Sequence, residues 1–253
     1  MTAGPGAPRE RVLPNGMDDA RVDPAWAAVP VAPVRWQPCF RVVPSRFPPI
    51  DLFERVADPA DLEAVFALEA LTDDRVRDAV GELSRVPPEE RVTGPGAGYV
   101  MAPFTHVPPG GGRFSDGTFG AYYAARTRET AVVETSYHRA RFLAATREPP
   151  MELDMRVLVA TLDAALHDVR GRGATLPALY DPDDYGASQA FARAVRGAGS
   201  QGVAYDSVRH AGGECVAVFR PRALARCRQA AHLAYVWDGA RIAFVYEKRS
   251  FRP

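Results

Sequence analysis

Hydrophobic residues in the second half of the chain alternate with polar ones over short runs, the period expected of half-buried strands. The first such run contains Leu153, Met155, Val157 and Val159. Strand-sized runs also lie at 120–125, 203–206 and 214–219, and a strong hairpin signal places Asp238-Gly239 between 232–237 and 241–246. We therefore expect strands to dominate the region beyond residue 150.

Apolar residues at helical spacing predict helices elsewhere in the chain. A helical pair is expected over residues 58–83, because Pro59 suits a first helical turn and apolar residues follow it at helical spacing. Thr127 is placed to cap a helix that runs to about Leu143, and residues 185–196 fit another helix. One face of the helix after Thr127 carries Glu134, His138 and Arg141. Strands and helices together indicate an α+β fold.

The domain organisation follows from proline content and from the positions of the glycine-rich loops. Ten of the 23 prolines lie in residues 1–49, a density that opposes regular helices and central strands. We expect this segment to be an irregular arm held to the core through Trp26, Trp36 and Phe40. Residues 50–93 form the expected helical lead-in, and residues 94–253 the domain that carries the candidate chemistry.

The charge balance argues against a nucleic-acid-binding surface, because 31 basic residues are matched by 31 acidic ones. Only Lys248 is a lysine, and it has no P-loop or Schiff-base context. Three cysteines without CxxC spacing and histidines without an HxxxH pair argue against a metal site. No signal peptide or membrane-length apolar run is visible, so we expect a cytoplasmic protein.

The densest group of candidate chemistry lies between residues 110 and 134. The glycine run at 110–112 allows the backbone to approach a ligand closely, and Arg113 after it presents a planar fork suited to phosphate oxygens. Two adjacent tyrosines on the next strand offer a face for stacking a flat ring. Glu134 follows three apolar residues, and the sequence leaves two explanations open: a salt bridge to Arg141 or a place in a pocket.

Three separated motifs resemble those of the RES-domain family, which is named for an arginine, a glutamate and a serine. They are Gly112-Arg113-Phe114 with the Tyr-Tyr-Ala strand, the Glu-Thr-Ala-Val-Val-Glu helix at 129–134, and the segment at 205–215. The resemblance covers about residues 95–246. It implies an ADP-ribosyltransferase-like fold, with a split β-sheet core and flanking helices, and makes residues 94–253 an NAD-binding catalytic domain.

The resemblance assigns catalytic roles to Arg113, Tyr122, Glu134 and Ser207. It adds as NAD-binding candidates Gly112, Phe114, Tyr123, Arg209 and His210. Because side chains alternate along a strand, only one of the two tyrosines can face the pocket. Tyr122 is preferred because it aligns with the family tyrosine without a gap, although Tyr123 stays open. Ser115-Asp116 replaces the Asn-Pro-like pair common in the family, which affects the loop shape but not the arginine.

Members of this family are typically toxins of bacterial toxin–antitoxin pairs. The resemblance therefore implies that the chain consumes NAD as a substrate, by hydrolysis or phosphorolysis. It also implies an Xre-type helix-turn-helix antitoxin as partner in an oligomeric complex. From the residue spacing, the charge balance and the apolar runs described above, we expect no metal and no direct nucleic-acid or membrane contact by the chain itself. Two alternatives stay open: transfer of ADP-ribose to a specific protein, and a catalytically silent member that only binds a partner or a nucleotide.

Overall fold

The computed structural model describes residues 24–46, 51–56, 58–70, 80–249 and 251. The strands are β1 (Val31–Pro44), β2 (Tyr122–Ala125), β3 (Met151–Asp168), β4 (Gly202–Asp206), β5 (Glu214–Val218), β6 (Leu224–Trp237) and β7 (Ile242–Lys248). The α-helices are α1 (Pro24–Ala27), α2 (Asp51–Arg55), α3 (Leu62–Ala70), α4 (Ala97–Thr105), α5 (Arg128–Thr146) and α6 (Gly186–Gly197). Short 3-10 helices lie at Pro59–Asp61, Leu83–Arg85, Pro88–Glu90, Pro177–Tyr180 and Pro221–Ala223.

A seven-stranded sheet organises these elements in the order β1-β2-β5-β4-β3-β6-β7. Strand β3 pairs antiparallel with β1 and β6, and its C-terminal end pairs parallel with β4. Because β1 pairs with both β2 and β3, five strands close into a ring, and the β6-β7 hairpin extends from it. Helices flank this sheet, so the predicted α+β fold is confirmed.

Strand β1 corrects the prediction that residues 31–44 belong to an irregular arm. It pairs with β3 from Val31↔His167 to Pro44↔Met155, and the register shifts between Trp36 and Cys39. Pro38 lies within that shift, where the ladder is already interrupted. Along its other edge, β1 pairs with β2 at one position within the described residues, Phe40↔Ala125. Most backbone N–H groups on that edge are therefore not needed to pair with a neighbouring strand. A high proline content does not exclude a strand here, because proline can occupy positions where the strand needs no backbone N–H for pairing.

Several other elements follow the sequence pattern. Thr127 caps α5 through a hydroxyl that accepts a hydrogen bond from the N–H of Thr130, and the β6-β7 hairpin turns at Asp238, as predicted. Most of the second helix of the predicted pair, and residues 1–23 of the predicted arm, lie outside the described residues. Helix α4 is not among the helices expected from the sequence. Its buried face could have been recognised from the helical spacing of Ala97, Val100, Met101 and Phe104.

The sheet separates two apolar clusters. The first includes Trp36, Phe53, Met101, Tyr122 and Leu162, and the second includes Phe114, Phe191, Val203, Tyr205 and Tyr235. The expected aromatic anchors of the N-terminal segment contact these clusters, because Trp36 is in the first, and Trp26 and Phe40 pack against the second. Among the described residues, no helix has the length and apolar character needed to cross a membrane.

Replacing Phe191 with alanine is predicted to destabilise the fold. Phe191 is fully buried, and its ring lies edge-on to those of Trp26 and Phe114. The substitution should lower the free energy of unfolding by about 3–5 kcal/mol, because lost burial and a new cavity both contribute. Phe244, which is 69% exposed, provides the control, and Phe244→Ala should cost less than about 0.5 kcal/mol. Urea denaturation measures both values, and equal losses would contradict the placement of Phe191.

Candidate active site

A cavity of about 320 Å³ opens between β1, β2, the glycine loop before β2, and helix α5. The described residues that line it include one carboxylate, that of Glu134, one imidazole, that of His138, and four arginines: Arg41, Arg113, Arg139 and Arg209. This lining has an excess of positive charge. Such a cavity suits a ligand that carries more than one negative charge, because each guanidinium can form charge-assisted hydrogen bonds.

Arg113 is 8% exposed, and one side of its guanidinium is held by the protein. Its Nη1 donates to the carbonyl oxygens of Leu179 at 3.0 Å and Asp181 at 2.7 Å. The guanidinium carbon lies 4.6 Å from the centre of the Tyr185 ring, within the range of a cation–π interaction. In the described part of the chain, Nε and Nη2 are the nitrogens that remain to bind a ligand in the cavity.

The loop before β2 is fixed by the hydroxyl of Tyr123. This hydroxyl accepts a hydrogen bond from the N–H of Phe114 at 2.9 Å and lies 3.0 Å from Oγ of Ser115. A Cβ at Gly112 would lie 2.7 Å from the same hydroxyl, and a Cβ at Gly111, whose φ is +63°, would lie 1.8 Å from the carbonyl oxygen of Ser115. The loop shape therefore requires glycine at both positions. Burial raises the pKa of Tyr123 to about 12, so the phenol stays protonated at neutral pH.

Tyr122 is not the pocket tyrosine, which corrects the choice made from the sequence. Its side chain is fully buried in the cluster on the opposite face of the sheet, where its hydroxyl lies 3.9 Å from Sγ of Cys227. Alternation along β2 places Tyr123 at the cavity instead. As expected, only one of the two tyrosines faces the cavity, but that residue is Tyr123 and not Tyr122.

Phe114 also lies in the core, although the family resemblance suggests that it binds NAD. It is 1% exposed, and its ring centre lies 4.8 Å from that of Tyr205 and 6.4 Å from that of Phe191. These contacts anchor the residue between Arg113 and Ser115 in the second apolar cluster. Phe114 therefore supports the arginine from behind and does not line the cavity.

Glu134 and Ser207 are 73 positions apart in the sequence and meet at the cavity. Oγ of Ser207 donates to Oε1 of Glu134 at 2.5 Å. Oγ of Ser207 also accepts hydrogen bonds from the N–H groups of Arg209 at 3.2 Å and His210 at 2.9 Å, and these bonds close the turn after β4. The serine thus connects this turn to helix α5 and fixes the orientation of the carboxylate.

The two explanations left open for Glu134 can now be compared. Arg141 lies 3.8 Å from a carboxylate oxygen of Asp183, so its charge is balanced there. Glu134 lines the cavity and is bonded to Ser207. The structure therefore favours a place in a pocket over a salt bridge to Arg141.

The remaining two predicted binding residues differ in their positions. Arg209 lines the cavity, with its guanidinium carbon 3.5 Å from the centre of the Tyr137 ring, and it donates to the carbonyl oxygen of Pro182. His210 is directed away, and its Nδ1 lies 2.9 Å from Oγ1 of Thr130. His210 therefore braces the first turn of α5.

Further cavity residues have no counterpart among the predicted site residues. Arg41 on β1 donates from Nη1 to the carbonyl oxygen of Tyr123 at 2.9 Å, and burial lowers its pKa. Its position on a segment expected to be irregular explains why the sequence does not reveal it. Arg139 and Tyr185 also line the cavity, and no spacing in the sequence singles out either of them. Within the described ranges, no group of three or more potential metal ligands occurs.

Comparison with known proteins shows what this chain is similar to. The model of the RES domain matches residues 88–238. The uncharacterized protein y4oC of Sinorhizobium fredii (strain NBRC 101917 / NGR234) is 31% identical over 210 residues, which cover 82% of this chain and 86% of that protein. A chain in the crystal structure of the M. tuberculosis MbcT-MbcA toxin-antitoxin complex is 16% identical with a TM-score of 0.46, over 85% of this chain and 91% of that one.

The two adjacent tyrosines provide a matched test of the site geometry. Tyr123→Phe should lower the free energy of unfolding by about 1–3 kcal/mol, because it leaves the N–H of the buried Phe114 without its acceptor. Tyr122→Phe should cost about 0.5 kcal/mol or less, because the one hydrogen-bonding contact of its hydroxyl within the described residues is a long one with a thiol. Urea denaturation compares the two variants. A larger loss for Tyr122→Phe would contradict the assigned roles.

Proposed function

Because the chain belongs to the RES-domain family, we propose that it is the toxin of a toxin–antitoxin pair and that it cleaves the bond between nicotinamide and ribose in NAD. One observation supports this proposal above all others. The carboxylate of Glu134, fixed by Ser207, shares a cavity with the partly free guanidinium of Arg113. A fixed negative charge beside an anion-binding arginine is the pairing that this reaction needs.

The charges of NAD match those of the cavity. The pyrophosphate of NAD carries two negative charges, and the nicotinamide ring carries a positive one until it leaves. Arg113 binds the pyrophosphate through its free edge, and Arg41, Arg139 and Arg209 increase the positive potential around it. Arginine suits this role because its planar fork can bind two oxygens at once.

Glu134 acts where positive charge develops during the reaction. Departure of neutral nicotinamide leaves an oxocarbenium-like ribose, and a preorganised carboxylate stabilises this centre more than it stabilises the substrate. Ser207 holds Oε1, so Oε2 is the oxygen left to face the ribose and accept a hydrogen bond from one of its hydroxyls. Ser207 and Tyr123 are positioning residues, since they act through Glu134 and through the loop that carries Arg113.

Mass spectrometry of the products formed from NAD tests this function. Hydrolysis gives nicotinamide with ADP-ribose, whereas phosphorolysis gives nicotinamide with a phosphorylated ADP-ribose only when phosphate is present. Release that stays slow until a target protein is added indicates transfer of ADP-ribose to that protein. Absence of nicotinamide under all three conditions would leave only a binding role.

Expression of the chain without its partner should arrest bacterial growth while cellular NAD falls.

The proposed partner is a small Xre-type helix-turn-helix antitoxin that blocks the cavity. With 31 basic and 31 acidic residues, the chain has no net charge with which to hold DNA, so the partner would supply the DNA contacts. Salt-sensitive, tight DNA binding by this chain alone would contradict that division of roles.

Glu134→Gln should abolish most of the activity while preserving the fold. The amide is nearly isosteric with the carboxylate and can still accept a hydrogen bond from Ser207, but it carries no charge to stabilise the ribose cation. The expected loss in kcat is about 10²–10³-fold. Glu129, an exposed residue in the first turn of the same helix, provides the control variant Glu129→Gln, which should keep normal activity. A folded and fully active Glu134→Gln enzyme would refute the mechanism.

Arg113→Lys should be nearly as damaging as Arg113→Ala. Lysine keeps the positive charge but lacks the fork that reaches two carbonyl oxygens on one side and the ligand on the other. The loss should appear mainly as a raised KM, because the pyrophosphate is held equally before and during the reaction. NAD titration of both variants, with Arg222→Lys at an exposed position as the control, measures the effect. Normal kinetics for Arg113→Lys would show that a positive potential alone is enough.

A further inference from the structure

His138 brings an unused imidazole into the same cavity. It lies four residues after Glu134 on α5, and its Nε2 is 3.8 Å from Oε2 of Glu134, which is too long for a direct hydrogen bond. The side chain is 49% exposed, and the Tyr137 ring packs against it edge-on with the ring centres 5.3 Å apart. Within the described structure, neither ring nitrogen has a hydrogen-bond partner. The imidazole is therefore near the key carboxylate and open to solvent.

Other side chains that line the cavity are poorly suited to accept a proton. A guanidinium donates hydrogen bonds and has no acceptor, which applies to all four arginines, and the hydroxyl of Tyr123 is used by the glycine loop. Burial raises the pKa of the Cys215 thiol far above its ordinary value, so its thiolate does not form at neutral pH. One oxygen of Glu134 is bonded to Ser207, and the other is needed beside the ribose. A neutral imidazole is the group best suited to proton transfer near pH 7.

We propose that His138 is the general base for hydrolysis at this site, an inference that rests on the proposed cleavage of NAD. In this step the oxygen of a water molecule forms a bond to C1′ of the ribose. The bond between C1′ and nicotinamide breaks, and its electron pair stays on the ring nitrogen, so nicotinamide leaves as a neutral molecule. The proton lost by the water passes to a ring nitrogen of His138 and then to solvent.

The surroundings of His138 keep its imidazole neutral and ready to accept a proton. Partial burial lowers its pKa, and the carboxylate of Glu134 opposes this effect. The pKa is lowered further by the positive charges of Arg209 after β4, Arg113 on the glycine loop and Arg139 on α5. Since the neutral form is the active one, kcat should be constant near pH 7–8 and should fall as the pH drops through the pKa of the imidazole.

The pH dependence of kcat for NAD hydrolysis tests this role. His138→Gln should lower kcat at pH 7.5 by about 10²–10⁴-fold and remove the acidic limb of the profile, while KM changes less than about threefold. His232→Gln, at an exposed histidine on β6 that contacts Gln229, provides the control and should match the wild-type profile. Urea denaturation of each variant shows whether the fold is preserved.

Azide separates a catalytic role from a structural one. It is an anion that attacks C1′ without losing a proton, so it should restore nicotinamide release by His138→Gln and form an ADP-ribosyl azide. The base assignment would be overturned if azide failed to restore nicotinamide release by a folded His138→Gln enzyme. It would also be overturned if that variant kept the wild-type kcat and the acidic limb of the pH profile. Either result would leave the proposed cleavage of NAD intact. Absence of NAD cleavage by the wild-type protein would instead overturn the proposed function, and the base assignment with it.

Discussion

Closure of the sheet through β1 is the constraint on which the candidate site depends. Strand β1 pairs along most of β3 and meets β2 at Phe40↔Ala125, so it joins two parts of the sheet that are distant in sequence. The next residue, Arg41, donates to the carbonyl oxygen of Tyr123 and contributes to the wall of the cavity. The pairing of β1 thus sets the position of Arg41 and of β2, which anchors the glycine loop through Tyr123. It thereby also sets the position of the cavity between them.

The second constraint is electrostatic. Placing four guanidinium groups and one carboxylate around a cavity costs desolvation, since burial is the main cause of the lowered pKa values of Arg41 and Arg139. Aromatic rings and backbone carbonyls offset part of this cost: Arg113 lies on Tyr185 and bonds two carbonyl oxygens. An anionic ligand would offset more of it, so ligand binding should also stabilise the folded protein.

The site keeps its geometry through residues that need not contact a ligand. Ser207 fixes the carboxylate of Glu134, and Tyr123 fixes the glycine loop that carries Arg113. Phe114, which lies between Arg113 and Ser115 in the sequence, packs in the second apolar cluster. Preorganisation of this kind lets a charged group act without first having to move, which is the main source of electrostatic catalysis.

The sequence by itself determined the local elements of this protein and part of its candidate site. Alternation gave the core of β3, Thr127 marked the start of α5, and the spaced motifs identified Arg113, Glu134 and Ser207, because these signals depend on neighbours along the chain. Tertiary structure decided that Tyr123 faces the cavity while Tyr122 and Phe114 are core residues, and that a proline-rich segment forms β1 and supplies Arg41. The sequence could not settle these points, because the burial of a side chain and the pairing of a strand depend on what packs against them from distant parts of the chain.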